Sequence, residues 1–312
     1  MKNKQKRWGF MVLIYGIVGV LLVGCTAETP NTTETTEFMD VVYADLSASQ
    51  KLDIYLPDDG SGSYPVIITV QGGAFKSGDK SMELDFLEVA LAQGYAVVSV
   101  NYRLSSEAIF PAAINDVKAA IRFIRANADT YHIDGDKIAL WGASAGGNLV
   151  SLAGTTAGTD ELYDPALGYT TVSDDVVAVV DWFGPIYFST MDAEFAALNT
   201  SGAMGATNSS SSPESMYLGE TIGTAEAEPL VIQASPQTYI SADDPAFFIK
   251  HGTADRNIPI TQSINFAQQL TEVLGESKVT FVTLEGAGHG TSEFKTTENI
   301  AAILAWLDTF MK

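Results

Sequence analysis

Lys137-Ile138-Ala139-Leu140-Trp141-Gly142-Ala143-Ser144-Ala145-Gly146-Gly147-Asn148-Leu149-Val150 passes from an apolar run through a glycine-rich corner into the start of a helix. Residues 138–141 are apolar without alternation, the pattern of a central strand buried on both faces of a parallel sheet. Gly142-Ala143-Ser144-Ala145-Gly146 then fits G-x-S-x-G. In that spacing the serine occupies a strained turn between strand and helix, and its hydroxyl projects from the top of the sheet. The flanking residues must be small because helix and strand approach closely there. Ser144 is therefore the candidate nucleophile. A Gly/Ser/Ala turn can also be no more than a turn, so the rest of the chain has to supply partners.

Outward from this stretch, apolar runs alternate with helical ones. Residues 41–43, 52–56, 65–70 and 95–100 read as strands, and 57–60, Pro-Asp-Asp-Gly, as a turn. A helix is predicted over 81–92, ending at Gly94. Another opens at Pro111, where a missing N–H costs nothing, with Ile114, Val117, Ile121 and Ile124 on one face. Beyond the corner, 176–183, 247–250 and 279–284 are further strands, with helices over 261–274 and around Ile300, Ile303, Leu304 and Leu307. The expected fold class is α/β, a mostly parallel central sheet with helices on both faces and right-handed crossovers. Residues 186–243 break the alternation and include Ser209 to Ser212. They read as a small inserted segment with a mobile serine-rich loop, either a lid over the ligand site or a plain surface insertion.

The chain has 312 residues, 46% of them hydrophobic and 18% charged, which suits a sizeable core and neither disorder nor a multispan membrane protein. Lys2, Lys4, Lys6 and Arg7 precede the apolar segment 8–23 and then Gly24-Cys25, the layout of a secretory signal peptide. Leu22-Val23-Gly24-Cys25 also looks like a bacterial lipobox. The expected organisation is a lipoprotein signal peptide over 1–24, a Thr/Glu-rich tether over 25–37 beginning at a lipidated Cys25, and one domain over 38–312. That layout places the protein outside the cytoplasm, lipid-anchored to the bacterial cell envelope. Cys25 is the only cysteine, which excludes an intrachain disulfide and a cysteine-rich metal site. The formal net charge is −21, and loss of a leader with four basic and no acidic residues makes the remainder more acidic still. Such a field repels nucleic acid and anionic polymers.

A serine hydroxyl needs a base, and histidine suits work near neutral pH. Of three histidines, His289 lies in Glu285-Gly286-Ala287-Gly288-His289-Gly290 directly after the last predicted strand, at the same sheet edge as Ser144. His132 precedes the strand of the opening stretch and so belongs to the opposite edge. His251 is near the active edge but reads as held by backbone contacts. The base in turn needs a carboxylate to hold its tautomer. Asp255, on the loop after the 247–250 strand, fills that place, whereas Asp243 and Asp244 precede the strand. The order Ser144, Asp255, His289 is the triad order of α/β-hydrolases. For the oxyanion, Gln71-Gly72-Gly73-Ala74-Phe75 follows a core strand. The amides of Gly73 and Ala74, with that of Ala145, are the candidate donors. A phosphate-binding loop would need a Lys-Ser/Thr ending that is missing. No metal or cofactor is implied.

With these pieces in place, the chain resembles the α/β-hydrolase esterases of the hormone-sensitive-lipase-like and feruloyl/acetylxylan esterase-like groups. The resemblance rests on Gln71 to Phe75, Asn101-Tyr102-Arg103, Phe110-Pro111-Ala112-Ala113 with Asp116, Gly142 to Gly147, Asp255 and His289, and runs from about Lys51 to the C-terminus. It implies an α/β-hydrolase fold and ester hydrolysis through an acyl-enzyme, on a small-molecule or polysaccharide-linked ester. Those families usually carry His-Gly-Gly where Gln71 begins the loop here. That histidine mainly braces the loop, and a glutamine amide can also hydrogen-bond, so activity is expected to survive. Asn101, Tyr102, Arg103 and Asp116 are expected to form a structural polar network behind the site. Phe75, Trp182, Phe183 and Tyr187 are candidates for the pocket wall, although aromatics at strand ends are more often core. The rival readings are a serine peptidase of the prolyl-oligopeptidase type, which shares the triad order, and a non-catalytic surface lipoprotein on a hydrolase fold.

Overall fold

Eight strands form one sheet in the order β1-β2-β4-β3-β5-β6-β7-β8 in the computed structural model, which describes residues 36–57 and 61–312. The strands are β1 (Thr36–Val42), β2 (Lys51–Leu56), β3 (Tyr64–Val70), β4 (Ala96–Val100), β5 (Ile133–Ala143), β6 (Ala178–Trp182), β7 (Ala246–Gly252) and β8 (Val279–Leu284). β1 and β2 pair antiparallel, as do β2 and β4, and every other pairing is parallel. The expected leader, Cys25 and the tether as far as residue 35 lie outside the described residues. β1 begins at Thr36, inside the span expected as tether, because Thr36 and Glu37 continue the ladder opposite Leu56 and Tyr55.

Helices cover both faces. α2 (Ala112–Ala126), α3 (Ala145–Thr155) and α7 (Thr261–Leu274) pack on one side, where Ile114, Ile121, Leu149 and Phe266 join Val66, Ile68 and Leu140. α1 (Leu87–Ala92) and α8 (Thr297–Met311) pack on the other, where Ala90, Ile303 and Leu307 meet Val97, Ala139 and Val180. Strands β4 and β6 are buried along their whole length, which is why their sequences lack alternation.

Two expectations need correction. The helix predicted over 81–92 starts at Leu87 instead. Ser81 hydrogen-bonds back to Asp79 through both its amide and its hydroxyl, and Glu83 takes a positive φ of 58°, so residues 79–86 run as an irregular segment. The serine run is not an open loop. Ser212 caps α5 (Pro213–Leu218), accepting from the Ser215 amide and donating to the Thr207 carbonyl, so the last serine of the run serves as helix-start chemistry. The 186–243 segment also carries α4 (Met191–Ala197) and α6 (Glu228–Gln233), and Asn148 of α3 donates to its Ala234 O and to Pro185 O just before it.

Candidate active site

Parallel strands deliver their following loops to one edge. Ser144 comes directly after β5, Phe183 after β6, Asp255 after β7, His289 after β8, and Gln71 to Phe75 after β3. Ser144 has φ 55° and ψ −122°, a conformation that costs a non-glycine residue of order 1–3 kcal/mol. Its neighbours hold it there. Its amide donates to Trp182 O at 2.8 Å, and its carbonyl accepts from Asn148 N at 3.1 Å. Glycine at 146 is required because a Cβ there would collide with the carbonyl oxygens of Val70 and Gln71.

Ser144 Oγ lies 2.9 Å from His289 Nε2, and His289 Nδ1 lies 2.7 Å from Asp255 Oδ2. Burial alone would raise the Asp255 carboxyl, but hydrogen bonds from His251 and His289 hold it well below the usual carboxylate range. The ionised carboxylate can only accept, so His289 Nδ1–H donates to it and Nε2 is left to accept the serine proton. Asp255 Oδ1 also accepts from Asn257 N at 2.7 Å and Ile258 N at 3.0 Å. His251 is fully buried, with Nε2 3.1 Å from Ile258 O and 3.4 Å from Asp255 Oδ2, and Nδ1 2.7 Å from Ser263 Oγ. Because Nε2–H faces carbonyl and carboxylate acceptors, Nδ1 takes the Ser263 hydroxyl proton. His132 is exposed and sits before β5, at the other end of the sheet. Asp244 accepts from Ser241 in front of β7, away from His289, and Asp243 is exposed beside it.

In the loop after β3, Gly73, Ala74 and Phe75 all have positive φ, at 102°, 57° and 60°. The amides of Gly73, Ala74 and Ala145 donate to no acceptor among the described residues. Gln71 does not brace this loop as a glutamine amide was expected to: its Oε1 is buried without a partner. Tyr102 takes a more direct part than a network behind the site, because its hydroxyl donates to Gln71 O at 3.2 Å. Arg103 does pair with the buried carboxylate of Asp116, at 2.8 Å.

A cavity of about 430 Å³ opens at Ser144 and His289. Trp182 and Phe183 line it, with Phe183 packed 4.5 Å from the His289 ring. Phe75 and Tyr187 do not. Phe75 stacks at 4.0 Å on Tyr217 of α5, and Tyr187 donates to Glu228. Sequence reasoning missed Glu83, Phe86, Phe294, Lys295 and Met204 in the wall. Glu83 was concealed by the helical reading of 81–92, and the others carry no local signal.

This sheet, with a serine on the strained turn after β5, a carboxylate after β7 and an imidazole after β8, defines an α/β-hydrolase fold. More narrowly, the chain belongs to the BD-FAE family, whose model matches residues 52–270. It is 33% identical over 241 residues to a probable carboxylic ester hydrolase, LipM, of Mycobacterium tuberculosis, covering 75% of this chain and 52% of that protein. Similar solved structures include a truncated carbohydrate esterase from gut microbiota, at TM-score 0.79 and 35% identity over 90% of this chain and 98% of that one. A bifunctional GH43-CE protein of Bacteroides eggerthii matches at TM-score 0.78 and 36% identity, over 88% of this chain and 35% of that one. The chain spans about half the length of the curated relatives it matches.

Proposed function

We propose that this chain is a serine carboxylesterase acting through Ser144, His289 and Asp255. The observation that carries the reading is the continuous hydrogen-bonded line from Ser144 Oγ through both ring nitrogens of His289 to a fully buried carboxylate. Ser144 Oγ attacks the ester carbonyl carbon while His289 Nε2 takes its proton. The carbonyl oxygen becomes an oxyanion that accepts from the amides of Gly73, Ala74 and Ala145. The carbon–oxygen bond to the alcohol then breaks, and His289 gives its proton to the departing oxygen. Water enters, His289 deprotonates it, and attack on the acyl-enzyme releases the acid and restores Ser144.

The preferred substrates are short acyl or aryl esters, including acetyl or feruloyl esters of plant polysaccharide. The names of the structurally similar carbohydrate esterases and the aromatic cavity wall of Trp182, Phe183 and Phe294 support that class. The same reading has the enzyme outside the cytoplasm, lipid-anchored to the bacterial cell envelope through Cys25. The deciding assay is p-nitrophenyl acetate hydrolysis by the chain starting after Cys25, beside its Ser144→Ala variant. Hydrolysis that disappears in the variant is the expected result. Folded wild-type protein no more active than the variant would overturn the assignment.

A further inference from the structure

In a trans peptide the C=O and N–H point in opposite directions, so gripping one end aims the other. The Gln71–Gly72 peptide is gripped at both ends. Tyr102 donates to Gln71 O at 3.2 Å, and Gly72 N–H donates to Glu83 Oε2 at 2.9 Å. The next two peptides are held in turn by contacts of their own. Gly72 O lies 3.5 Å from the same Tyr102 hydroxyl, which directs Gly73 N–H the opposite way. Gly73 O accepts from the amides of Lys76 and Ser77, each at 3.1 Å, which does the same for Ala74 N–H.

Glu83 is held in place at a cost. It has φ 58°, in the left-handed region that disfavours side chains, and burial raises its carboxyl against ionisation. It also stands close to the nucleophile: a Cβ built on Gly72 would lie 3.2 Å from Glu83 Oε1 and 3.3 Å from Ser144 Cβ. The Gln71 side chain does not do this work: its amide oxygen, Oε1, is buried without a partner. The geometry points to Glu83 as a positioning residue for the oxyanion loop: with Tyr102 it clamps the Gln71–Gly72 peptide and so aims the Gly73 and Ala74 amides at the substrate carbonyl. The inference rests on the esterase reading above.

The test compares Glu83→Ala with Glu83→Gln by ester kinetics and by amide hydrogen exchange over residues 70–78. The oxyanion exists only beyond the ground state, so Glu83→Ala should lower kcat about tenfold or more with KM nearly unchanged. Glu83→Gln should recover most of that loss, because its amide oxygen can still accept from Gly72. Exchange over the loop should quicken in the alanine variant and not in the glutamine variant. An alanine variant with wild-type kcat, a loss confined to KM, or a glutamine variant as impaired as alanine would each overturn the role. Should Glu83→Ala fail to fold, Tyr102→Phe releases the other end of the same peptide, and an unchanged kcat there overturns it too. Exchange needs no turnover. Wild-type protein without Ser144-dependent hydrolysis, with the exchange difference between the variants intact, therefore counts against the esterase reading, whereas unchanged exchange with wild-type hydrolysis intact counts against Glu83.

Discussion

Asp255 shows how much one side chain can carry. Its two oxygens accept from two backbone amides and face two histidines, so the carboxylate is fixed before any substrate arrives. Asp255→Asn would present an amide to His289 Nδ1 and favour the wrong tautomer, so kcat should fall by about four orders of magnitude while KM changes little. A stability effect accompanies it. The folded carboxyl titrates below its unfolded value, so its contribution is present above about pH 4 and is lost as pH falls further. Denaturant titrations should show wild-type stability dropping below pH 4, and a shallower drop in Asp255→Asn. Equal slopes would show that this carboxylate is not what acid attacks.

At the scale of elements, β6 supplies more than a strand. Its Asp181 is fully buried beneath the elbow helix α3, with Oδ1 accepting from Gly184 N at 2.9 Å and Oδ2 unpartnered. Burial pushes its carboxyl up to about 6, against the Gly184 hydrogen bond and the neighbouring His251. Between about pH 4 and 6 the folded state then binds more protons than the unfolded one, so this residue makes stability fall as pH rises through that window. Asp181→Asn keeps an acceptor for Gly184 and offers its NH2 group to the nearby Ser151 hydroxyl, itself buried without a partner. The variant should be more stable than wild type at pH 7, by roughly 3 kcal/mol at most, with the gain gone near pH 4. Urea midpoints at the two pH values decide it, and an unchanged or negative difference at pH 7 would refute it. The elbow itself was legible in sequence because its requirements are local: an apolar run, a small residue on each side of Ser144, and a helix start. The segment 79–86 was not: beside the Ser81–Asp79 bonds and the positive φ of Glu83, it is tied by a bond from Gly72 to Glu83 that no local pattern encodes.

For the whole molecule, the proposed anchor and the acidic charge describe how the enzyme is displayed. A chain of net charge −21 is kept from anionic surfaces by its own field, so the proposed attachment rests on lipid at Cys25 and not on electrostatics. Expressed in a bacterial host, Cys25→Ser should leave the membrane fraction while hydrolysis per molecule stays the same. A variant that still sediments with membranes would refute lipid anchoring.

By itself the sequence determined the alternation of strands and helices, the sheet edge at which Ser144, Asp255 and His289 emerge, and their order along the chain. Those features rest on side-chain period, on turn residues and on parallel connection, all readable within a dozen residues. Tertiary structure decided the rest. Phe75 turns to Tyr217 while Trp182 and Phe183 face the cavity. Glu83 and Tyr102, rather than Gln71, hold the loop beside the nucleophile. Each is a contact between segments far apart in the chain, and its existence depends on how the loops cross the sheet edge, which only the packed core sets.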